Sequence, residues 1–172
     1  AVVIDPGHGG ADDGGIPGQK VKEKAVALDV AKRLQKALIR RGYSASMTRT
    51  GDFDVPKAGR IPTPAARTNT IFVSIHFNSA YRSSARGIET YYHTATSRPL
   101  AAHIHRRVLT VRPTMNRGVK RAGFFVLRHN PLRAVLVECG FLTNPQDAKL
   151  ARKASHREKL ARNIADGIHE YH

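Results

Sequence analysis

Two histidines and two glutamates in this chain have the types and positions that metal-dependent chemistry requires. His8, His76 and Glu138 each lie at the end of a short apolar run typical of a buried strand, and Glu23 opens a helical pattern. Imidazole and carboxylate groups are the ligands that Zn²⁺ takes in hydrolytic sites, which usually use three protein ligands and leave a fourth position open. His8 and His76 supply two such ligands, and Glu23 is our candidate for the third.

A hydrolytic zinc site also needs a group that moves protons. Zn²⁺ lowers the pKa of a coordinated water toward about 7 and polarises a substrate carbonyl. A further carboxylate that does not bind the metal can accept the proton of that water and return it later. Glu138 ends a different strand from the two histidines, and it is our candidate for this role.

The first strand and the turn after it must position His8. Val2-Val3-Ile4 is a β-branched run, and the Pro6-Gly7 and Gly9-Gly10 pairs force a sharp loop around the histidine. The apolar spacing over residues 23–41 predicts a helix that ends before Gly42, and residues 44–49 predict a second strand. These elements form a βαβ unit with a parallel strand pair.

The rest of the chain continues the alternation of strands and helices. Further strands are predicted over residues 71–75, 87–92, 124–127 and 134–137, and further helices over residues 98–111 and 155–171. We therefore expect one α/β domain over residues 1–172, with a mainly parallel six-stranded central sheet flanked by helices on both faces. Parallel strands would bring His8, His76 and Glu138 to one edge of that sheet, where ligands bind in such folds.

The chain is strongly basic, with 29 Lys and Arg against 13 Asp and Glu and a formal net charge of +16. Such a field attracts polyanions, which include nucleic acid, anionic lipid and acidic wall polymers. Many of the basic residues recur on predicted helix faces, where a solvated surface and a docking patch are both open interpretations. They are Lys32, Arg33, Lys36, Arg40, Arg41, Arg152, Lys153, Arg157, Lys159 and Arg162.

No apolar run is long enough to predict a membrane span, which needs roughly 18 residues or more. The chain begins within its first predicted strand, so we expect a mature or excised domain from which a signal peptide or further domains were removed.

Seven motifs occur in order over almost the whole chain: Asp5-Pro-Gly-His-Gly-Gly10, Glu23-Lys24, Thr48-Arg49, Ser74-Ile-His-Phe-Asn78, Gly87-Ile-Glu-Thr-Tyr-Tyr92, Asn116-Arg-Gly-Val-Lys120 and Val137-Glu-Cys-Gly-Phe-Leu-Thr-Asn-Pro145. Together they resemble the zinc-dependent N-acetylmuramoyl-L-alanine amidases of the type 3 amidase family.

The resemblance implies that His8, Glu23 and His76 bind zinc and that Glu138 is the catalytic glutamate. It implies a substrate, the amide between the lactyl group of N-acetylmuramic acid and the L-alanine of the peptidoglycan stem peptide. It also implies action outside the cytoplasmic membrane, in the periplasm or cell wall. We expect a monomer with peptidoglycan as its partner, anionic wall polymers as further candidate partners, and no nucleic acid.

Other residues have more than one interpretation. Asp5 could orient a ligand histidine or cap the turn, and Asn78 and Arg128 are candidates for contacts with the ligands or the substrate. Glu23 could instead favour a helix N-terminus, and Glu138 could form a buried salt bridge with Arg128 or Arg133. Asp12 and Asp13 are interpreted as solvated loop residues or as modulators of access. The other histidines are predicted to lie at the surface: His93, His103, His105, His129, His156, His169 and His172.

Two departures from the family pattern bear on the site. This chain has Asn69-Thr70 where relatives commonly have Ala-Asp, and the stretch before it carries Pro62-Thr-Pro64. We expect altered loop geometry there but no lost ligand. Some relatives carry a long helical insertion that plugs the zinc site, and the segment between Tyr92 and Asn116 has room for only one modest helix. The site is therefore predicted to be uncovered.

Two other functions compete with a wall amidase. One is a basic, non-catalytic module that binds wall polymers or nucleic acid. The other is a related zinc peptidase, which would need a pocket for a terminal charge. The presence of all four zinc and catalytic side chains favours the amidase, because a binding module has no need of them at strand ends.

Overall fold

The structure is a computed structural model, and it describes residues 1–62, 69–111 and 113–172. The strands are β1 (Val2–Pro6), β2 (Ala45–Met47), β3 (Ile71–Asn78), β4 (Ile88–Tyr92), β5 (Asn116–Arg121) and β6 (Arg133–Phe141). The helices are α1 (Glu23–Arg40), α2 (Arg98–Val108), α3 (Phe125–Arg128), α4 (Pro145–Arg152) and α5 (Ala154–Tyr171). Short 3₁₀ helices cover Lys57–Arg60 and Ala95–Ser97.

The strands form one six-stranded sheet in the order β2-β1-β3-β6-β4-β5. All neighbouring strands are parallel except β4 and β6, which run antiparallel. The expected mainly parallel six-stranded sheet is confirmed. Because β1, β3 and β6 are consecutive and parallel, their carboxyl ends meet at one edge.

The two faces of the sheet are covered unequally. Alternate residues of β3, such as Val73 and Ile75, belong to a large core cluster that also contains apolar residues of the long helices α1, α2 and α5. Phe72, on the other face, packs in a smaller cluster with Val126 and Leu127, around the short helix α3. By the two-residue period of a strand, His76 lies on the face of Phe72, the face that no long helix covers.

One strand prediction is wrong, and one strand was not predicted. Residues 124–127 are not a strand, because the short helix α3 begins at Phe125. The sixth strand is instead β5, whose sequence Asn-Arg-Gly-Val-Lys-Arg is too polar to stand out. Helix α4 was also missed, although Asn144 caps it by accepting hydrogen bonds from the backbone N–H groups of Gln146 and Asp147.

Two histidines predicted to lie at the surface are buried, namely His105 and His156. His105 Nδ1 lies 3.0 Å from Thr90 Oγ1, and His105 Nε2 lies 2.9 Å from Asn116 Oδ1. An amide oxygen can only accept, so Nε2 carries the proton and Nδ1 accepts from the Thr90 hydroxyl. His105 thereby joins α2 to β4 and β5.

Thr63 and Pro64, in the loop expected to differ from the family, lie outside the described residues. Asn69, which follows that loop, has a φ of 67° and lies directly before β3. No helix among the described residues has the length and apolar character needed to cross a bilayer.

Candidate metal centre

The loop that carries His8 is tightly folded against β3. His8 adopts a φ of 59°, in the left-handed region that non-glycine residues rarely occupy. A side chain at Gly7 would place its Cβ 2.3 Å from Cε1 of His76, and a Cβ at Gly14 would lie 2.6 Å from Oε2 of Glu23. Glycine at these two positions therefore permits the loop to approach the site so closely.

Two buried arginines hold this loop by its backbone carbonyls. Arg60 donates hydrogen bonds to the carbonyl oxygens of Pro6 (2.7 Å) and His8 (2.8 Å). Arg49 donates to the carbonyl oxygen of Gly7 (2.7 Å) and also to that of Pro6 (3.1 Å). Every carbonyl from Pro6 to His8 thus has a charged donor, which stabilises the strained backbone. Sequence reasoning placed Arg49 in a motif without a role and missed Arg60.

The three predicted metal ligands converge. Ligand atoms of His8, Glu23 and His76 all lie within 4.8 Å of one another. Nε2 of His8 lies 3.1 Å from Oε2 of Glu23, and Nδ1 of His76 lies 2.8 Å from Oε1 of Glu23. Glu23 is the first residue of α1, and its carboxylate faces β3. Its Oε1 also accepts a hydrogen bond from the backbone N–H of Phe77 in that strand, at 3.0 Å.

The pKa values of this cluster follow from its hydrogen bonds. Burial disfavours the charged form of Glu23, but hydrogen bonds from His76 and His8 outweigh burial and lower the pKa of Glu23 to about 2. Burial would lower the pKa of His8, but Glu23 and then Asp12 raise it to about 9. Glu23 raises the pKa of His76 in the same way, against the effect of burial.

Glu138 lies beside this cluster without joining it. Glu138 of β6 is in register with two residues of the neighbouring strands: His76 of β3 on one side and Glu89 of β4 on the other. Its Oε2 is buried and has no hydrogen-bond partner among the described residues. Burial, with the charges of Glu23 and Glu89, raises the pKa of Glu138 to about 8, although the charge of His76 opposes this.

The alternative role for Glu138, a structural salt bridge, is not seen. Among the described residues, neither Arg128 nor Arg133 forms an ion pair with Glu138. Arg128 is exposed and donates to Nε2 of His129, and Arg133 is exposed at the start of β6. The structure therefore does not bring Arg128 into the site.

Asp5, Asp12 and Asn78 differ in how closely they are connected to the cluster. Asp12, interpreted from sequence as a loop residue, has its Oδ2 2.7 Å from Nδ1 of His8. Asp5 contacts no ligand histidine directly; it accepts from Arg60 Nη1 at 3.0 Å, from Thr48 and from Ser74. Asn78 donates to Oε1 of Glu89 at 2.6 Å. The direct partner of a ligand is therefore Asp12, which sequence reasoning did not single out.

The donor set fits a zinc ion. Two imidazoles and one carboxylate are the ligands of many hydrolytic zinc sites, and an orphaned buried carboxylate oxygen lies in register with one of the histidines. Within the described ranges, this is also the only cluster of three or more side chains able to hold a metal.

A cleft of about 360 Å³ opens from the cluster. His8, His76 and Asp12 line one end, and the half-exposed rings of Phe124 and Phe125 line an apolar wall. Among the described residues, none between Tyr92 and Asn116 lines this cleft or joins the metal cluster, which agrees with the predicted uncovered site.

A family model for N-acetylmuramoyl-L-alanine amidases matches residues 2–170 of the chain. The chain belongs to this amidase family. It is 38% identical over 175 residues to the N-acetylmuramoyl-L-alanine amidase LytC of Bacillus subtilis, and 34% identical over 172 residues to the probable cell wall amidase LytH of Staphylococcus aureus. The alignments cover 99% of this chain but only 35% of LytC and 57% of LytH.

Two solved amidase structures share the fold over nearly the whole of their chains. The catalytic domain of CwlV, an N-acetylmuramoyl-L-alanine amidase from Bacillus (Paenibacillus) polymyxa var. colistinus, superposes with a TM-score of 0.92 at 32% identity, covering 99% of this chain and 96% of that one. The amidase AmiC2 of Nostoc punctiforme gives a TM-score of 0.91 at 38% identity, with 99% and 95% covered. The α/β fold predicted from sequence is therefore the fold of this family.

Proposed function

We propose that this chain hydrolyses the amide between the lactyl group of N-acetylmuramic acid and the L-alanine of the peptidoglycan stem peptide. One observation carries the proposal: the buried, unpartnered carboxylate oxygen of Glu138 beside the cluster of His8, Glu23 and His76. The relatives LytC and CwlV are N-acetylmuramoyl-L-alanine amidases, which supports the choice of substrate.

In this proposal His8, Glu23 and His76 hold a zinc ion. When bound, zinc would polarise the scissile carbonyl and lower the pKa of the attacking water, so that this water gives up a proton readily. Asp12 accepts a hydrogen bond from Nδ1 of His8, which fixes the ring so that Nε2 faces the cluster. Arg49 and Arg60 hold the His8 loop in place.

Glu138 moves the proton. Its Oε2 makes no hydrogen bond to the described residues, so it is available to accept a proton from the attacking water. Burial keeps the pKa of Glu138 near the neutral range, where a carboxyl group can both accept a proton and return it to the leaving amine nitrogen. The carbonyl carbon gains the hydroxyl group, the C–N bond breaks, and the peptide leaves with a free L-alanine amino group.

We further propose that residues 1–172 act as one catalytic domain, and that it works outside the cytoplasmic membrane. The family match over residues 2–170 supports the first point. The similarity to LytH, a probable cell wall amidase, supports the second. A monomeric state stays a prediction.

The test is digestion of purified peptidoglycan in the presence of Zn²⁺, followed by mass spectrometry of the soluble products. Release of stem peptides with a free L-alanine amino terminus, and of glycan with intact lactyl groups, is the expected result. The Glu138→Gln protein is the control for contaminating hydrolases. Cleavage within the peptide would instead indicate a zinc peptidase, and binding without any cleavage would indicate a non-catalytic wall module.

A further inference from the structure

A groove of about 600 Å³ lies on the outer surface of α1 and α5, away from the cleft. Its lining is dominated by basic side chains, and we call it the basic groove: Lys32, Arg33, Lys36, Arg40, Arg41 and Arg162.

The acidic residues at this groove are already occupied by arginines. Asp29 is bound by Nε of Arg33 at 2.7 Å and by Nε of Arg157 at 2.5 Å. These hydrogen bonds lower the pKa of Asp29, although its partial burial acts in the opposite direction. Glu158 is bound by Arg33 at 2.9 Å and by Arg162 at 2.8 Å. The two carboxylates therefore form ion pairs with Arg33, Arg157 and Arg162, and not with the other basic residues of the groove.

Three cations of the groove have no such partner. Lys32, Lys36 and Arg40 are exposed and form no ion pair with any described residue. They are four residues apart on α1, so they form one stripe along the helix. Like charges at this spacing repel each other and disfavour the helix, and neither Asp29 nor Glu158, the carboxylates that line the groove, forms an ion pair with them. An external polyanion would relieve that repulsion.

We propose that the stripe of Lys32, Lys36 and Arg40 is the docking site for a linear phosphodiester polymer of the cell wall. The choice of a wall polymer rests on the proposed function, because an enzyme that acts on peptidoglycan works where such polymers are attached. Single-stranded nucleic acid sites combine cations with aromatic side chains on which bases stack. None of the described residues lining the groove is aromatic.

The stripe lies on the opposite side of the sheet from the cleft. Helices α1 and α5 pack on the sheet face that contains Val73 and Ile75, whereas His76 lies on the opposite face. A polymer bound along α1 therefore leaves the cleft open. Docking concentrates the enzyme at the wall without touching the reacting groups.

The test compares two triple variants that each remove three positive charges. K32Q/K36Q/R40Q removes the stripe, and glutamine keeps the helix propensity of lysine and arginine. R98Q/R133Q/K149Q is the matched control, because Arg98, Arg133 and Lys149 are exposed, lie outside the groove and form no ion pair with the described residues.

Binding of each protein to purified poly(glycerol phosphate) is measured over a range of salt concentrations. We expect the stripe variant to bind about tenfold or more weakly than the parent, and the control variant to bind within about twofold of it. The slope of log Kd against log salt should fall by about 2 in the stripe variant, as for three lost phosphate contacts on a single strand. Walls stripped of phosphate polymer should bind all three proteins equally.

Two results would overturn the proposal. Equal weakening in both variants would show that only the net charge matters. Equal affinity of the parent for a single-stranded oligodeoxynucleotide of matched charge would show a general polyanion surface. Hydrolysis of a soluble muropeptide, which lacks the polymer, should be the same in all three proteins; if none hydrolyses it, the proposed function fails while the binding comparison still stands.

Discussion

Glu138 is buried beside the cluster of His8, Glu23 and His76, but its Oε2 makes no hydrogen bond with the described residues. Glutamine has the same shape but cannot accept a proton, so Glu138→Gln should remove the proton transfer alone. We expect turnover to fall by about 10² to 10⁴ while the zinc content stays that of the parent. Product release measured by mass spectrometry, with metal analysis of the same sample, checks both. Turnover at the parent rate would show that another group moves the proton.

Alanine at His76 or Glu23 should affect the protein differently, because each substitution removes a proposed zinc ligand. We expect both variants to lose bound zinc and activity together, and added Zn²⁺ to restore neither. Chelation should silence the parent protein, and Zn²⁺ should then restore it. Metal analysis after dialysis distinguishes these two variants, which should have lost zinc, from Glu138→Gln, which should retain it. Retention of one zinc per chain in His76→Ala would remove that histidine from the ligand set.

Asp12 and Asp13 are adjacent loop carboxylates with different partners, which makes them a matched pair. Asp12 contacts Nδ1 of His8, whereas Asp13 pairs with Lys22 and Lys24. Loss of the partner of a ligand histidine typically lowers metal affinity by about 10- to 100-fold, and we expect that for Asp12→Asn. Asp13→Asn should bind zinc as the parent does. Competition with a chromophoric chelator measures both affinities, and equal values would contradict the role of Asp12.

Four residues of the candidate site could be predicted to converge because His8 follows β1, Glu23 begins α1, and His76 and Glu138 lie toward the carboxyl ends of the parallel strands β3 and β6. Asp12 and Arg60 could not. The contact from Asp12 to His8 depends on the left-handed backbone of His8, and Arg60 reaches the His8 carbonyl from a 3₁₀ helix in an irregular segment. Such contacts depend on loop geometry, for which the sequence carries no periodic signal.

At the scale of elements, the turn after β1 must pass within contact distance of β3. Gly7→Ala would place a methyl group 2.3 Å from Cε1 of His76, so either the loop or the imidazole must move. We expect a loss of about 1–3 kcal/mol in the free energy of unfolding, together with weaker zinc binding.

Gly123→Ala is the matched control for that substitution. A Cβ at Gly123 meets no atom within 4 Å, and the residue has no left-handed backbone. Thermal unfolding and zinc affinity of both variants provide the measurement. If Gly7→Ala behaved like Gly123→Ala, the close approach of the loop would not constrain the site.

The wrongly predicted strand and the missed strand both concern short segments near α3, but they have different causes. Phe124-Phe-Val-Leu127 is four apolar residues long, and a run of that length fits a strand or a turn of helix equally. Strand β5 is at the sheet edge and is polar, so it lacks the alternation that revealed β4. The long helices α1 and α5 were predicted to within one residue, because each shows a full apolar stripe.

At the scale of the whole molecule, His105 should make the stability of the fold depend on pH. Burial lowers the pKa of His105 below its usual 6.5, although Asn116 and Glu89 oppose this. As the pH falls, His105 therefore binds a proton near pH 6.5 in the unfolded chain but only at a lower pH in the folded chain. Stability from the neutral His105 is present above that pH and is lost as the pH falls through 6.5 toward the lower folded pKa.

His105→Gln should remove this dependence while keeping a polar contact with β4 and β5. Between pH 7.5 and 5.5, we expect the metal-free parent to lose more unfolding free energy than the metal-free variant. At pH 7.5 the variant should be less stable by about 1 kcal/mol, because one of the two hydrogen bonds of His105 is lost. Urea unfolding of both proteins at each pH measures the pH dependence and the difference in unfolding free energy at pH 7.5. Identical pH profiles would show that His105 does not titrate on unfolding.

The central position of β6 makes the candidate site depend on the last strand of the chain. This strand is the last in sequence, yet it fills the gap between β3 and β4, and it delivers Glu138. A chain that ends before residue 133 has two open strand edges and lacks Glu138, the proposed proton acceptor, even though His8, Glu23 and His76 are present. Under the proposed function, hydrolytic competence and completion of the sheet are therefore reached together.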